Sequence, residues 1–89
     1  MLFMVIEDLS VGGLEAVHDR FQRQGRMLPE GVEYLSSWIE ENGRRCFQLM
    51  EAEDRALLDE WVARWSDLVS FEFVPVLPSA DFWKRRGNP

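Results

Sequence analysis

The feature of this sequence that most constrains its fold is a partial repeat. A shift of 44 positions aligns two apolar stretches with two later ones. The number of residues between the two stretches is the same in both copies. The aligned pairs are Phe3 and Phe47, Val5 and Leu49, Glu7 and Glu51, Leu14 and Leu58, Val17 and Trp61, and Phe21 and Trp65. The first three pairs alternate as in a β-strand, and the last three recur at i, i+3 and i+7, as on one helix face. The sequence therefore predicts one strand–helix unit written twice.

Signals at the ends of these stretches place the remaining elements. Gly25 is suited to end the first helix, and Asn42-Gly43 is the strongest short signal for a β-hairpin. Ser10 and Asp54, which the same shift aligns, are both residue types that cap helix N-termini. We predict strands over residues 2–7, 32–40, 45–51 and 69–76, and helices over residues 14–24 and 55–65.

The order β-α-β-β-α-β predicts an α+β fold, the ferredoxin-like sandwich. Its four-stranded antiparallel sheet has strands one and three at the centre and two helices on one face. At 89 residues the chain has the size of one domain. We assign residues 1–78 to this domain and residues 79–89 to a C-terminal tail. Phe82 and Trp83 of the tail are expected to pack on the domain or on a dimer partner, while the basic residues after them stay solvated.

Charge and cysteine content exclude several classes of function. A net charge of −6 disfavours nucleic acid, because phosphate binding requires a basic surface. The one cysteine, Cys46, cannot form an internal disulfide or a cysteine-rich metal site, and its apolar strand predicts an inert buried thiol. The apolar run 1–6 is too short to span a membrane and lacks the basic start of a signal peptide. We expect a cytoplasmic protein without metal or cofactor and with neither nucleic acid nor membrane as partner.

Both faces of the predicted sheet are apolar. On the first strand Phe3 and Val5 alternate with Met4 and Ile6, and the third and fourth strands are also apolar at both parities. A sheet covered by helices on one face only normally alternates apolar and polar residues. We therefore predict that a second copy covers the far face in a twofold homodimer.

The two halves differ most in the connection between helix and strand. Val32 and Tyr34 align with Val69 and Phe71 at a shorter spacing of 37, so the first connection is longer, and the extra residues fall within 25–31. Functional residues favour loops on rigid scaffolds, but insertions are more often ordinary surface connections, because loops accept them freely.

Two carboxylates related by the repeat, Glu7 and Glu51, end the central strands. Paired carboxylates support acid–base chemistry when they lie about 3–10 Å apart. Neighbouring antiparallel strands place these two residues at opposite ends of the sheet, so the topology separates the pair. We interpret each as a charge that favours the N-terminus of the following helix.

Four residues are candidates to line a ligand pocket: Trp38, Tyr34, His18 and Arg44. Trp38 is expected to share a strand face with Tyr34, and Arg44 follows the hairpin, so these side chains could hold an anionic or planar ligand. His18 is the only histidine and the natural acid–base residue. Its repeat partner is Val62, which equally fits a histidine packed at the edge of the core.

A pattern over residues 29–77 resembles a known family. It consists of Pro29, Gly31, Val32, Leu35, Trp38, Gly43, Phe47, Leu49, Glu51, Asp54, Leu58, Trp61, Trp65, Asp67, Leu68, Phe71, Glu72, Pro75, Val76 and Leu77. With the start Phe3-Met4-Val5, the chain resembles the mostly bacterial family called domain of unknown function 3303. That family is similar to the dimeric α+β-barrel group, in which two ferredoxin-like sheets face each other. The resemblance implies a dimer and transfers no catalytic residue.

Two main hypotheses of function follow. In the first, the protein is a dimeric small-molecule-binding protein with a pocket between the sheet and its partner subunit. In the second, it is a structural or interaction module whose aromatic residues build only the core and the interface. A cofactor-free monooxygenase-like or isomerase-like enzyme is a further alternative, implied by the resemblance to the wider group alone.

Overall fold

The computed structural model describes residues 1–87 and forms one sheet flanked by helices. Its elements are β1 (Leu2–Asp8), α1 (Leu14–Gln24), β2 (Val32–Ile39), β3 (Arg45–Ala52), α2 (Arg55–Ala63), β4 (Ser70–Val76) and α3 (Ser79–Arg85). The strands are antiparallel and ordered β2-β3-β1-β4. The predicted α+β ferredoxin-like arrangement, with β1 and β3 central, is confirmed.

Strand bounds agree with prediction to within one residue, whereas α2 ends at Ala63 rather than at residue 65. The chain tightens there, because Arg64 N–H donates to the Trp61 carbonyl at 3.0 Å and Trp65 N–H to the Val62 carbonyl at 2.9 Å. These i→i+3 bonds are typical of a helix terminus. Trp65 still reaches the core and is 5% exposed.

Only one of the two predicted N-caps forms. Asp54 Oδ1 accepts the Ala56 N–H at 2.9 Å and caps α2. Ser10 does not cap α1, because its N–H and hydroxyl both donate to Asp8 Oδ1. The helix begins only after Gly13, without a side-chain cap. The local Asp8–Ser10 turn and the glycines that follow compete with helix formation.

Side chains along each strand alternate between the face of the sheet that the helices cover and the outer face. Phe3, Val5 and Glu7 of β1 are buried beneath the helices, as are alternate residues of β3 from Cys46 to Ala52. Phe47, the repeat partner of Phe3, therefore lies on the outer face. The helical part of the repeat is preserved in space and the strand part is not, because the β1–β3 register sets Phe3 opposite Met50 rather than opposite Phe47.

A β-bulge in β2 changes the predicted face of Trp38. Tyr34 pairs with Met50, but Ser36 already pairs with Leu49, so Leu35 is an extra residue. Tyr34 therefore faces the helices, whereas Trp38, opposite Phe47, faces outward and is 56% exposed. The expectation that Trp38 and Tyr34 share a face is wrong for this reason.

The core is built mainly by α2 and the sheet. Its buried apolar residues are Phe3, Val5, Leu9, Cys46, Met50, Ala52, Leu58, Trp61, Trp65 and Val69. Helix α1 contributes no buried residue. It is attached instead by Arg20, whose two terminal nitrogens bond both oxygens of Asp67 at 2.7 and 2.6 Å and whose guanidinium lies over the Trp65 ring. Because these Arg20 contacts hold α1 at one side only, a space remains between α1 and the sheet.

The segment after β4 is helical. In α3, Phe82 and Trp83 contact each other edge to face with ring centroids 5.1 Å apart, and no residue of the helix is buried. Residues 88 and 89 of the predicted tail lie outside the described residues. Within residues 1–87, no helix has the length and apolar character needed to cross a membrane.

Substitution of the working cap, Asp54→Ala, is expected to lower the free energy of unfolding by about 1 kcal/mol, because the Ala56 N–H loses its acceptor. Urea denaturation measures the change. Ser10→Ala is the matched control at the aligned position and is expected to cost less than about 0.5 kcal/mol. Equal losses in the two variants would contradict the assignment.

Candidate functional site

A cavity of about 250 Å³ lies between α1 and the helix-facing side of the sheet. Its lining is Glu7, Leu9, Leu14, Val17, His18, Phe21, Arg26, Ser37, Ile39, Cys46, Gln48, Trp61, Trp65 and Val69. The walls are thus mainly aliphatic and aromatic, with a few polar groups among them. The apolar stripe of α1 faces this space, which explains why Leu14 and Phe21 remain 48% and 39% exposed.

Glu7 places a carboxyl group in the wall of this cavity. The pleat of β1 turns it to the same side as Phe3 and Val5, and it is 7% exposed. Burial raises its pKa to about 7, although the Gln48 hydrogen bond and the positive charge of Arg26 act in the opposite direction. The carboxyl group is therefore close to half ionised at neutral pH.

Gln48 connects this carboxyl group to Arg26. Its amide nitrogen donates to Glu7 Oε2, and its amide oxygen lies 3.4 Å from Arg26 Nε. Glu7 and Gln48 are on adjacent central strands, and Gln48 is itself buried. Because both ends of the Gln48 amide are engaged, its orientation is determined and so is that of the Glu7 carboxyl group.

Arg26 belongs to the long connection 25–31 that the sequence identifies as an insertion. Trp61 and Trp65 of the α2 end both donate their indole N–H groups to the Arg26 carbonyl oxygen at 2.9 Å. Its guanidinium carbon lies 3.6 Å from the Tyr34 ring centroid and 5.1 Å from that of Phe21. This loop is therefore tied to the core and carries a cation into the cavity wall.

Cys46 also lines the cavity, beside Glu7 in the sheet. Burial, and secondarily the Glu7 charge, raise the pKa of its thiol to about 11. The thiol is protonated at neutral pH, in agreement with the inert role expected from the sequence.

The four predicted pocket residues lie in different places. His18 is an exposed residue of α1 and is part of the cavity lining. Tyr34 stacks with Arg26 and shares a 2.7 Å hydrogen bond with Ser37. It therefore contacts two lining residues without lining the cavity itself. Trp38 lies on the outer face, and Arg44 is exposed at the hairpin, 3.6 Å from an Asp8 oxygen. A pocket between sheet and partner, lined by Trp38 and Arg44, stays a prediction.

Glu7 and Glu51 are separated as the topology requires. Glu7 pairs with Cys46 at one end of the β1–β3 ladder, and Glu51 pairs with Leu2 at the other, facing outward. Glu7 does not act as an exposed charge before a helix, contrary to the interpretation from sequence. The signal was present in the alternation Phe3, Val5, Glu7, which puts a carboxyl group on an apolar strand face.

The cavity offers hydrogen-bonding chemistry rather than a metal centre. Among residues 1–87, no three His, Cys, Asp or Glu side chains come together as metal ligands. Glu7 can accept or donate a proton, and Arg26 can donate to an acceptor oxygen. An apolar space with two such groups suits a small organic molecule that carries one or two polar atoms.

A model of a protein family, described as "Domain of unknown function (DUF3303)", matches residues 1–86 of the chain. The match spans every element of the fold, from β1 to the end of α3. Comparisons with curated proteins and with solved structures give no match.

Glu7→Gln is expected to stabilise the protein at pH 8 and to leave it unchanged near pH 4. The folded pKa of about 7 exceeds the ordinary value of 4.5, so ionisation costs stability progressively between these values and fully above pH 7. The full cost is on the order of 3 kcal/mol. Urea denaturation of both proteins across this pH range measures it.

The repeat partner supplies the control, because Glu51 is partly exposed on the opposite face. Glu51→Gln should show no comparable pH-dependent gain. A Glu7→Gln variant whose stability follows the wild type at every pH would show that the carboxyl group is not buried.

Proposed function

The chain belongs to the family of domain of unknown function 3303, and we propose that it binds a small, mostly apolar organic molecule in the cavity beneath α1. The observation that carries the proposal is the combination of an apolar space of about 250 Å³ with Glu7, Gln48 and Arg26 in one wall. Such convergence of a few polar groups in an apolar pocket is the usual design of small-molecule sites.

The volume of the cavity limits the size of the ligand. An apolar cavity of about 150 Å³ admits benzene, so about 250 Å³ suits a molecule of one or two rings. The indoles of Trp61 and Trp65 and the ring of Phe21 favour a planar ligand. An acceptor oxygen on the ligand would meet Arg26, and a hydroxyl group would meet Glu7.

A purely structural role accounts less well for this site. Burying Glu7 costs on the order of 3 kcal/mol at neutral pH, against a total stability of about 5–15 kcal/mol for a small domain. An apolar residue at this position would pack the core without that cost. A stability cost concentrated in a cavity wall is characteristic of binding and active sites.

We extend the proposal to a homodimer formed by the outer faces of two sheets. Apolar side chains cover the centre of this face, with Met4 of β1 directly opposite Leu49 of β3. Four strands about 4.8 Å apart and about 25 Å long present roughly 480 Å², whereas a stable dimer buries about 800 Å² per partner. Phe82 and Trp83 of α3 can supply most of the difference, since an aromatic side chain buries about 150–250 Å².

Charge supports the participation of α3 in this dimer. Its last turn carries Lys84 and Arg85, while the chain as a whole has a net charge of −6. A basic helix is attracted to the acidic surface of a second copy. We also propose a cytoplasmic location, which suits the free thiol of Cys46.

Filling the cavity is expected to abolish ligand binding. Val17 lines it from α1, and Val17→Phe would occupy part of its volume. We expect 2-indanone, a two-ring ketone, to quench tryptophan fluorescence of the wild type on binding, and its affinity to fall at least about tenfold in the variant.

The matched control is Ala16→Phe on the exposed side of the same helix, which should bind as the wild type does. Equal affinities of wild type and Val17→Phe would contradict binding beneath α1. Native mass spectrometry of freshly purified protein should in addition show a retained small molecule.

A charge at the centre of the outer face is expected to dissociate the dimer. Leu49→Glu would place a carboxylate opposite Met4 of β1, where the proposed interface excludes water. Light scattering after gel filtration should give a dimer for the wild type at micromolar concentration and a folded monomer for the variant. Val11→Glu, at a residue 58% exposed in a loop, is the control and should remain dimeric. A monomeric wild type would refute this part of the proposal.

A further inference from the structure

We propose that Glu7 accepts a proton from a carbon atom of the ligand, so that the cavity catalyses enolisation of small ketones. This inference rests on the proposed binding function and names its substrate class, carbonyl compounds with an acidic C–H bond next to the carbonyl group. It arises from the arrangement of three side chains, Glu7, Gln48 and Arg26, in one wall of the cavity.

The Glu7 carboxyl group is oriented for this role. Oε2 accepts the Gln48 amide N–H, and Oε1 makes no hydrogen bond within residues 1–87, although the cavity wall includes Glu7. One oxygen is therefore held in place and the other is available to a ligand. A base fixed by a hydrogen bond on its far oxygen meets the geometric requirement for general-base catalysis.

Arg26 is placed to stabilise the product of proton removal. Its Nε interacts with Gln48 Oε1 at 3.4 Å, and its terminal nitrogens make no hydrogen bond within the described residues. These N–H groups can donate to a carbonyl oxygen whose negative charge increases during the reaction. The guanidinium carbon also lies over the rings of Tyr34 and Phe21.

The proposed step is balanced without a co-reactant. The C–H bond next to the carbonyl group breaks, and its proton forms an O–H bond with Glu7 Oε1. The electron pair becomes a carbon–carbon double bond, and the negative charge moves to the carbonyl oxygen beside Arg26. Return of the proton to the same carbon restores the ketone, and its return to another carbon of a conjugated system completes an isomerisation.

The other groups facing Glu7 are poor competitors for this role. Cys46 on β3 is protonated, because its pKa is raised to about 11, and His18 of α1 is exposed to solvent. From β4, Phe71 is opposite Glu7, and α2 presents Trp61. A carboxyl group with a pKa of about 7 is ionised often enough at neutral pH to accept a proton and basic enough to hold it.

Deuterium incorporation into 2-indanone in D₂O, followed by proton NMR, tests this inference. The wild type should accelerate exchange above the buffer rate, and Glu7→Gln should lose at least roughly 100-fold of that acceleration while its affinity for 2-indanone stays the same. Glu51→Gln should exchange as the wild type does. Binding without accelerated exchange would overturn the catalytic role alone, and absence of binding would overturn both proposals.

The pH profile gives a second readout that needs no Glu7 variant. The exchange rate at the enzyme should rise with pH as Glu7 ionises, with a midpoint at about 7, and should then level off. Glu51→Gln should keep this profile, since Glu51 faces outward and does not line the cavity. A profile whose midpoint disappears in His18→Val would assign the base to His18 and contradict the inference.

Discussion

The burial of one carboxyl group, that of Glu7, determines how the other parts of the site are arranged. Gln48 donates to it, and Arg26 provides a positive charge near it. Trp61 of α2 and Trp65 just after this helix hold the Arg26 backbone in position. The Gln48 hydrogen bond and the Arg26 charge lower the cost of ionising Glu7, yet burial remains the larger effect and its pKa stays raised. The site is thus a carboxyl group kept near its titration point by opposing influences.

The two faces of the sheet differ in chemistry. The helix-facing side combines core residues with the Glu7–Gln48 pair, and the outer side is apolar around Met4 and Leu49. Under our proposals the first side binds a ligand and the second binds another copy of the chain. The cavity is complete within one chain, so dimerisation would support the fold of the site rather than supply its residues.

The sequence predicted the fold well because the fold depends on local periodicity and turn signals. The hairpin at Asn42-Gly43 forms, with Gly43 at φ +74°, and Gly25 ends α1 with φ +67°. The errors had specific causes. The extra residue Leu35 in β2 reverses the face of Trp38, and no pattern in the strand signals a bulge. Within the predicted tail, α3 is a helix that no pattern in the sequence indicates, since its seven residues are too few for a clear helical period.

The site was predicted only in part, because it depends on contacts between distant segments. The unequal loop lengths pointed to residues 25–31, which supply Arg26, but the indole hydrogen bonds that position this residue join it to α2. The repeat led us to treat Glu7 and Glu51 as equivalent. In the structure the register of β1 against β3 puts them on opposite faces of the sheet.

The most direct measurement of the central claim is the ionisation of Glu7 itself. A carbon-13 NMR titration of glutamate carboxyl carbons, with the Glu7 signal assigned through its absence from Glu7→Gln, follows this one group. The structure predicts a midpoint of about 7. A midpoint close to the ordinary value of 4.5 would show that water reaches the carboxyl group freely and would contradict the buried site on which both proposals for the cavity rest.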